Sequence, residues 1–331
     1  MKALRLGSRG SALALFQARL VAERIQTSGG PDVEIIVVKT SGDRLQHAPL
    51  SEIGGKRLFV KEIEDALLSG DIDLAVHSSK DMPAELPGGL EVGAVLERED
   101  PRDALVLPIG KGDGNLFRSA FTEKVPVPFS ARIGTGSVRR IAQLKRFFPA
   151  GSFENVRGNL DTRLMKLDAG GYDLLVLAAA GLHRLGFSSR ISATVAIEDC
   201  VPAPGQGIIA IEIRGSDNST RDAVARINDS DASSALEAER ALVIALGGGC
   251  QMPIGGVAVA AGPSSLELHA VVASLDGTRA IRYKKVGARA DAAELGREVA
   301  AHLLANGAEA ILNEARRNES SIPSPESLRQ T

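Results

Sequence analysis

Apolar runs alternate with amphipathic stretches through the first part of the chain. The runs at 5–8, at 33–38 and from Leu74 onward predict short strands. The stretches between them repeat apolar residues at helical spacing, with Ser11 as a predicted N-cap and 58–68 as the second helix. This β-α-β-α-β order predicts a parallel, doubly wound sheet.

A second set of strands and helices follows Asp103. Strands are predicted at 105–107, 132–133, 153–156 and 173–177, with helices at 137–148 and 159–167 and a surface loop at 110–130. Residues 202–207, rich in proline and glycine, lead into an apolar strand at 208–213 that can return to the first sheet. Two chain crossings between two α/β lobes predict a hinged cleft.

The last third lacks this alternation. A predicted helix at 235–246 precedes a glycine-rich loop, and three strand-like runs without intervening helices predict an antiparallel meander before a closing helix at 292–304. The predicted fold class is therefore α/β, with two doubly wound lobes and a small α+β C-terminal domain containing a three-stranded antiparallel sheet. We expect domains at 1–102 with 203–218, at 103–202 and at 219–315, and a disordered tail at 316–331.

Composition excludes several classes of function. A formal net charge of -2, 3% aromatic residues and the absence of Trp disfavour nucleic-acid binding. No run approaches the ~20 apolar residues that cross a bilayer, and the N-terminus enters a predicted strand without a signal-peptide core. The two cysteines are far apart and the histidines form no H-E-x-x-H, so we expect a cytoplasmic protein without a metal site.

The strand that starts at Leu74 ends abruptly in polar and ionisable residues. Lys80 and Asp81 follow it side by side, and ligands of open α/β sheets bind at the carboxyl ends of strands. The alternative for this segment alone is a solvated turn closed by Pro83. His77, within the strand, is interpreted as a structural histidine that orients its loop.

Arginines recur at the predicted starts of helices, where a cation meets the positive end of the helix dipole at a cost of ~0.3–1 kcal/mol. Taken singly, each is better explained as a solvated surface charge, and Lys56 and Arg57 stay undecided. Together they predict a cleft for a polycarboxylate or polyphosphate, and the absence of P-loop and G-x-G-x-x-G motifs disfavours a nucleotide. The recurring residues are Arg9, Arg139, Arg140, Arg157 and Arg163.

Cys250 follows three glycines on a predicted loop. A small packed cysteine is the common fate of a free thiol, whereas glycines around it allow a large group to approach, as covalent attachment requires. Both interpretations stay open on chemistry alone.

Nine motifs in order, from about Leu4 to about Ala315, resemble the hydroxymethylbilane synthase (porphobilinogen deaminase) family. They include H-S-x-K-D-x-P at 77–83, G-T-x-S-x-R-R at 134–140, R-G-N-x-x-T-R-L-x-K-L at 157–167 and G-G-C-Q-x-P-I-G at 248–255, and it is their number and order that make the resemblance specific. The resemblance implies two lobes like those of type II periplasmic binding proteins. It also implies a dipyrromethane cofactor on Cys250, one per chain, held through a thioether and assembled from the substrate's own pyrrole units.

The resemblance implies a reaction of haem and porphyrin biosynthesis. Four porphobilinogen molecules are joined in turn with loss of ammonia, and water then releases 1-hydroxymethylbilane. Asp81 matches the catalytic aspartate. Motif positions imply the remaining contacts, which are Lys80, Thr135, Ser137, Arg139, Arg140, Arg163 and Arg184 for the cofactor and Arg9, Ser11, Arg157, Phe59 and Gln206 for the substrate. The resemblance further implies a monomer whose product passes to uroporphyrinogen-III synthase.

Two rival functions stay open beside this one. A non-catalytic, two-lobed anion-binding protein would share the cationic cleft but carry no covalent group on its thiol. A nucleic-acid or regulatory module is disfavoured by the acidic charge balance and the few aromatic residues.

Overall fold

The computed structural model describes residues 3–40, 60–110, 130–248 and 252–320. The part of the chain that forms the first two sheets and their connecting helices contains β1 (Leu4–Ser8), α1 (Ala12–Thr27), β2 (Val33–Val37), α2 (Lys61–Ser69), β3 (Leu74–Ser78), β4 (Leu90–Val95), β5 (Asp103–Val106), β6 (Arg132–Gly134), α3 (Val138–Leu144), β7 (Ser152–Glu154), α4 (Leu160–Asp168), β8 (Leu174–Ala178), α5 (Ala179–Arg184), β9 (Ala193–Thr194) and β10 (Ile209–Arg214). The remainder contains α6 (Asn218–Ala225), α7 (Ser230–Ala245), β11 (Ile254–Gly262), β12 (Ser265–Ala273), β13 (Ala280–Ala288), α8 (Ala292–Ala305) and α9 (Ala308–Ser320).

The two five-stranded sheets have matching topologies, and each forms one lobe. The orders are β2-β1-β3-β10-β4 and β7-β6-β8-β5-β9. Separate clusters of buried apolar side chains cover them, with Leu6 and Ile211 in the first lobe and Leu105 and Val176 in the second. This arrangement confirms the predicted fold class, including the return of β10 to the first sheet.

One strand in each sheet runs opposite to the other four. β10 is antiparallel to β3 and β4, and β5 is antiparallel to β8 and β9. The strands β1, β2 and β3, for which the alternation with helices predicted a parallel sheet, are parallel. Both β10 and β5 follow a crossing from the other lobe. Each crossing enters its sheet at the end where the lobes meet, which is where the parallel strands finish. A strand that begins at that end must therefore run antiparallel to them.

An equivalent arginine–aspartate ion pair lies at the start of a strand in each lobe. In the first, the Arg5 guanidinium donates to the Asp73 carboxylate at 2.8 Å and to the Gly70 carbonyl at 2.7 Å. In the second, Arg132 donates to Asp173 and to Gly170, both at 3.0 Å. In each lobe the arginine lies at the start of the strand next to the central one (β1 or β6), and the aspartate directly precedes the central strand (β3 or β8).

The two chain crossings between the lobes, residues 96–102 and 195–208, lie against each other and together form the hinge. The Glu99 amide donates to the Gly207 carbonyl at 3.1 Å, and Arg98 Nε donates to the Gln206 carbonyl at 2.9 Å. Gly207 has φ of +90°, and a Cβ atom there would lie 2.2 Å from the Glu99 carbonyl oxygen. Only glycine allows this close approach of the crossings.

The third domain is built on an antiparallel sheet in the order β11-β12-β13, as predicted. Helices α7 and α8 pack on it through a buried cluster that includes Leu242, Leu268 and Leu295. Its attachment to the hinge is a buried ion pair in which Arg98 Nη1 donates to Glu239 at 2.5 Å. Glu239 also accepts from the Gly205 amide at 2.6 Å and from the Ala258 amide at 2.8 Å, so one carboxylate joins a crossing to the third sheet.

Three elements differ from the sequence-based expectations. Helix α9 extends to Ser320, so the disordered tail expected from residue 316 is wrong for 316–320, and Arg316 there donates to the Gly247 carbonyl at 2.8 Å. Helix α6 packs Ala223 and Val224 into the core of the first lobe, although the expected third domain begins at 219. The rest of the tail (321–331) and most of the expected 110–130 loop lie outside the described residues.

Candidate active site

The predicted site residues lie after the carboxyl ends of parallel strands in both lobes. Ser11 caps α1 by accepting from the Ala14 amide at 3.3 Å, and Ser137 caps α3 by accepting from the Arg140 amide at 3.4 Å. The described members follow β1 (Arg9, Ser11), β3 (Lys80, Asp81), β6 (Thr135, Ser137, Arg139, Arg140), β7 (Arg157, Arg163) and β8 (Arg184), with Gln206 on the second crossing.

Asp81 ends a short 3-10 helix that continues directly from β3. The Ser79 amide donates to the Ile208 carbonyl at 3.0 Å, and the Met82 amide donates back to the Ser79 carbonyl at 3.1 Å. Met82 is buried beside Leu236 of α7. The backbone on both sides of Asp81 is therefore fixed, while its own side chain stays partly exposed.

Asp81 and three arginines of the second lobe share one electrostatic environment. Burial lowers the pKa of the Arg163 guanidinium, the neighbouring charges of Arg140 and Arg157 lower it further, and Asp81 acts in the opposite direction. Arg163 is held by a hydrogen bond from Nε to the Gly158 carbonyl at 2.8 Å. The catalytic candidate of one lobe thus faces the cations of the other.

Arg139 and Arg140 are both paired with Asp103, a residue that sequence reasoning left without a role. Asp103 is fully buried and accepts from Arg139 Nη1 at 2.7 Å and from Arg140 Nε at 2.9 Å. Burial acts to raise the pKa of Asp103, but the two guanidiniums outweigh it and hold the pKa well below its usual range. The cations at the start of α3 therefore have a partner within the protein, so their placement alone does not require a ligand.

The same carboxylate organises two further side chains. Gln206 Nε2 donates to Asp103 at 2.9 Å and to the Pro101 carbonyl at 2.6 Å. The thiol of Cys200 donates to Asp103 at 3.3 Å, and burial, with the nearby Asp103 charge, raises its pKa to about 12. Cys200 is thus a packed, unreactive thiol.

Arg184 reaches from the second lobe to the crossings. Its Nη2 donates to the Gly207 carbonyl at 2.6 Å. Burial lowers the pKa of the Arg184 guanidinium to about 10, against the opposing charge of Glu99, so it stays cationic at neutral pH. In the structure Arg184 braces the hinge, whatever ligand contact it also makes.

A cavity of about 190 Å³ lies where the two lobes, the second crossing and the third domain meet. We call it the junction cavity. Its walls come from the Asp81 segment (Ser79, Lys80, Met82, Ala84), the start of α3 (Gly136, Ser137, Val138, Arg139), the crossing (Ala203, Pro204), α7 (Leu236, Arg240, Val243) and the third domain (Gly248, Met252, Ile254).

Two wall residues carry buried polar atoms without a hydrogen-bond partner among the described residues. They are Ser79 Oγ and Arg139 Nε, from opposite lobes. Both side chains are more than nine-tenths buried. Neither atom is exposed to the cavity, so each is an unpaired group within the packing of the wall, at a cost of about 1–3 kcal/mol, and not a ligand contact.

Cys250 and Phe59 lie outside the described residues, as do Lys56 and Arg57. The residues that flank the undescribed segment 249–251, Gly248 and Met252, both line the junction cavity.

His77 pairs with Glu212 of β10. Its Nε2 lies 3.0 Å from Glu212 Oε2, and both side chains are buried. This contact agrees with the structural role that the sequence suggested for His77. No group of three or more metal-ligating side chains occurs in the described part of the chain.

Sequence reasoning missed residues whose partners are distant along the chain. Asp103 has Arg102 beside it in sequence, but its partners in the fold, Arg139 and Arg140, lie 36 and 37 residues away. Arg240 and Glu239 lie on a helix with no polar motif around them, so the sequence carried no signal for either.

Two family models cover most of the chain. Residues 4–222 match "Porphobilinogen deaminase, dipyromethane cofactor binding domain", and residues 234–305 match "Porphobilinogen deaminase, C-terminal domain". The chain is 46% identical to the porphobilinogen deaminase of Syntrophobacter fumaroxidans and 45% identical to that of Acidithiobacillus ferrooxidans. Each match spans 314 residues, 95% of this chain and 98% of the relative.

Among solved structures, substrate binding domain 2 of Lactococcus lactis GlnP aligns with 69% of this chain and 88% of its own. The identity is 10% and the TM-score is 0.42, a likeness too distant to bear on activity. None of the described helices combines the length and apolarity that crossing a membrane requires.

Proposed function

Because the chain belongs to the porphobilinogen deaminase family, we propose that it joins four porphobilinogen units with loss of ammonia and releases 1-hydroxymethylbilane for tetrapyrrole biosynthesis. Asp81 is the catalytic carboxylate in this proposal, and Cys250 holds a dipyrromethane cofactor. The observation that carries it is the junction cavity, where the Asp81 segment, the arginine-bearing start of α3 and both flanks of residues 249–251 meet.

The residues present fit such a cofactor. A dipyrromethane built from porphobilinogen carries acetate and propionate groups, and Lys80 and Arg139 supply cations to the wall of the cavity. When bound, the group supplies the pyrrole carbon to which the first substrate unit is joined.

Asp81 would act on the pyrrole of the incoming substrate. As the carbon–nitrogen bond to ammonia breaks and a carbon–carbon bond forms, the pyrrole rings gain positive charge. A fixed carboxylate accepts a hydrogen bond from pyrrole N–H, stabilises that charge and takes up the proton that is lost. The hydrogen bonds around Ser79 and Met82 support this role because they hold the Asp81 backbone in place.

The arginines would bind substrate carboxylates without binding them too tightly. Asp103 offsets one of the two charges of Arg139 and Arg140, so these three side chains together carry a net charge of +1. Arg157 and Arg163 add cations across from Asp81. A product that must leave is better served by this partly neutralised surface than by four unopposed guanidiniums.

The cellular setting belongs to the same proposal. We propose a cytoplasmic monomer whose product passes to uroporphyrinogen-III synthase, with three domains of which the first includes α6. The acidic charge balance and the two distant cysteines support the cytoplasmic location. Light scattering that gives the mass of one chain would support the monomer.

The test replaces Asp81 by Asn and measures porphobilinogen consumption and ammonia release. We expect turnover to fall about 100-fold or more, since general acid–base catalysis contributes ~10²–10⁴-fold. Glu85→Gln, an exposed acid four residues further on, is the matched control and should keep wild-type turnover.

The non-catalytic rival predicts a different outcome. If wild-type protein binds porphobilinogen but releases no ammonia, and carries no mass adduct that Cys250→Ser removes, the enzymatic proposal is wrong. An Asp81→Asn variant with unchanged turnover would remove Asp81 from its role but leave the activity standing.

A further inference from the structure

One face of helix α7 holds the segment that follows Asp81. Ala232, Leu236 and Arg240 are spaced four residues apart and therefore share that face. Ala232 and Leu236 pack with Met82 in a buried apolar cluster. The segment after the catalytic candidate is thus attached to the third domain as well as to its own sheet.

Arg240 completes this contact with two hydrogen bonds. Its Nη1 donates to the Pro83 carbonyl at 3.1 Å, and its Nη2 donates to the Ala84 carbonyl at 2.6 Å. The two carbonyls lie two and three residues after Asp81, just past the end of the 3-10 helix. A planar guanidinium donates to both at once and so fixes the direction in which the chain leaves Asp81.

The charge of Arg240 is kept in a partly buried position. Burial lowers the pKa of the Arg240 guanidinium, and the buried carboxylate of Glu212 opposes that shift. A buried cation persists where its donors are used. The neighbouring Glu239 anchors the same turn of α7 to the hinge, so Arg240 projects from a fixed helix.

We propose that Arg240 is a positioning residue that holds Asp81 in its catalytic position from the third domain. The inference rests on the proposed function. Helix α7 also leads directly to Gly248 at the wall of the junction cavity. Through Arg240 a single helix ties the position of the Asp81 segment to the domain that carries Cys250.

The test compares Arg240→Met, which keeps the length of the side chain, with Arg240→Lys, which keeps the charge and one donor direction. Arg297→Met is the control, since Arg297 is exposed on α8 and pairs with Glu294 on the same helix. We expect kcat of Arg240→Met to fall about 10- to 100-fold with KM changed less than about twofold, because small misplacements of a catalytic group cost rates of this order. Arg240→Lys should recover part of kcat.

A second readout does not depend on activity. Amide hydrogen exchange of the peptide over residues 79–86 should be faster in Arg240→Met and near wild type in Arg240→Lys and Arg297→Met. The mass adduct on the protein should be retained in all three variants. If Arg240→Met does not fold, the lysine variant carries the test through its kcat and its exchange.

Two results would overturn the inference. A raised KM with unchanged kcat would make Arg240 a direct carboxylate contact, and unchanged exchange at 79–86 would remove its hold on the segment. The exchange result does not depend on whether the wild type forms 1-hydroxymethylbilane, whereas a wild type that releases no ammonia contradicts the proposed function itself.

Discussion

Replacing Asp103 by Asn removes one negative charge from the interior of the second lobe and leaves its shape nearly unchanged. In the wild type this carboxylate accepts four hydrogen bonds from Arg139, Arg140 and Gln206, at 2.7–3.1 Å. The side chains of Arg139 and Arg140 are 4% and 8% exposed. In the variant both guanidiniums would stay buried without a counter-ion, and the new amide would turn a donor toward them.

The burial of these side chains sets the size of the expected loss in the free energy of unfolding. Removing one partner of a buried ion pair costs about 3–5 kcal/mol, whereas an exposed pair contributes about 0–1 kcal/mol. Asp173, paired with Arg132 in the same lobe, is 43% exposed and provides the comparison. We therefore expect Asp103→Asn to lower the free energy of unfolding of the second lobe by about 3–5 kcal/mol, and Asp173→Asn to lower it by about 1 kcal/mol or less.

Amide hydrogen exchange in β8 measures this quantity for the second lobe alone. At about 1.4 kcal/mol per tenfold change, exchange should be roughly 100- to 5,000-fold faster in Asp103→Asn and less than about 10-fold faster in Asp173→Asn. Equal effects of the two substitutions, or a loss below about 1 kcal/mol for Asp103→Asn, would refute the reasoning.

The pH dependence gives a second check. Because the folded pKa of Asp103 lies below the unfolded value of about 3.9, its contribution is fully present above that value and is lost as pH falls toward the folded pKa. The stability difference between wild type and Asp103→Asn should therefore stay constant from pH 8 to about pH 5 and shrink only below about pH 4. A difference that shrinks between pH 8 and pH 6 would contradict this assignment.

Two further predictions concern the packing of the hinge and of the second lobe. Cys200 should resist alkylation by iodoacetamide at pH 8 in the folded protein and react only after denaturation, as peptide mass mapping will show, because its pKa is raised to about 12; rapid labelling of the folded protein would contradict its burial. Gly207→Ala should lower the melting temperature more than Gly170→Ala does. Both glycines have positive φ, but a Cβ at 207 would meet a backbone carbonyl at 2.2 Å, whereas one at 170 meets nothing within 4 Å; equal shifts would mean that the crossings move apart easily.

Local pattern was enough to predict most of the fold. Strands such as β3 and β8 are short apolar runs with clear ends, and the absence of helices between β11, β12 and β13 predicted their antiparallel pairing. The direction of β5 and β10 was not predictable in this way, because it depends on the edge at which a crossing enters the other sheet. Helix α9 was missed because its polar composition resembles a tail until Ile311 and Leu312 are seen packed in the third core.

The candidate site also combines local features that the sequence predicts with contacts between distant residues that it does not. Asp81 and the arginines could be predicted because strand ends and helix starts are local features. Of the predicted residues, the structure places Lys80, Ser137 and Arg139 on the wall of the junction cavity. It places Asp81 in one electrostatic environment with arginines of the second lobe. Asp103 lies 36 residues from Arg139, and Arg240 contacts a carbonyl 157 residues away. Contacts over such separations have no signature in a single sequence. Their discovery changes the meaning of Arg139 and Arg140, which serve the protein's own packing as well as any ligand.

The most direct test is the intact mass of the protein before and after brief mixing with porphobilinogen. Wild-type protein should carry an adduct that maps to Cys250 and should then gain mass in steps that each equal one porphobilinogen less ammonia. Asp81→Asn should carry the adduct but gain no further steps on the same timescale, and Cys250→Ser should show neither. An unmodified wild-type mass in a preparation that converts porphobilinogen, or stepwise growth at the wild-type rate in Asp81→Asn, would contradict the proposed roles of Cys250 and Asp81 respectively.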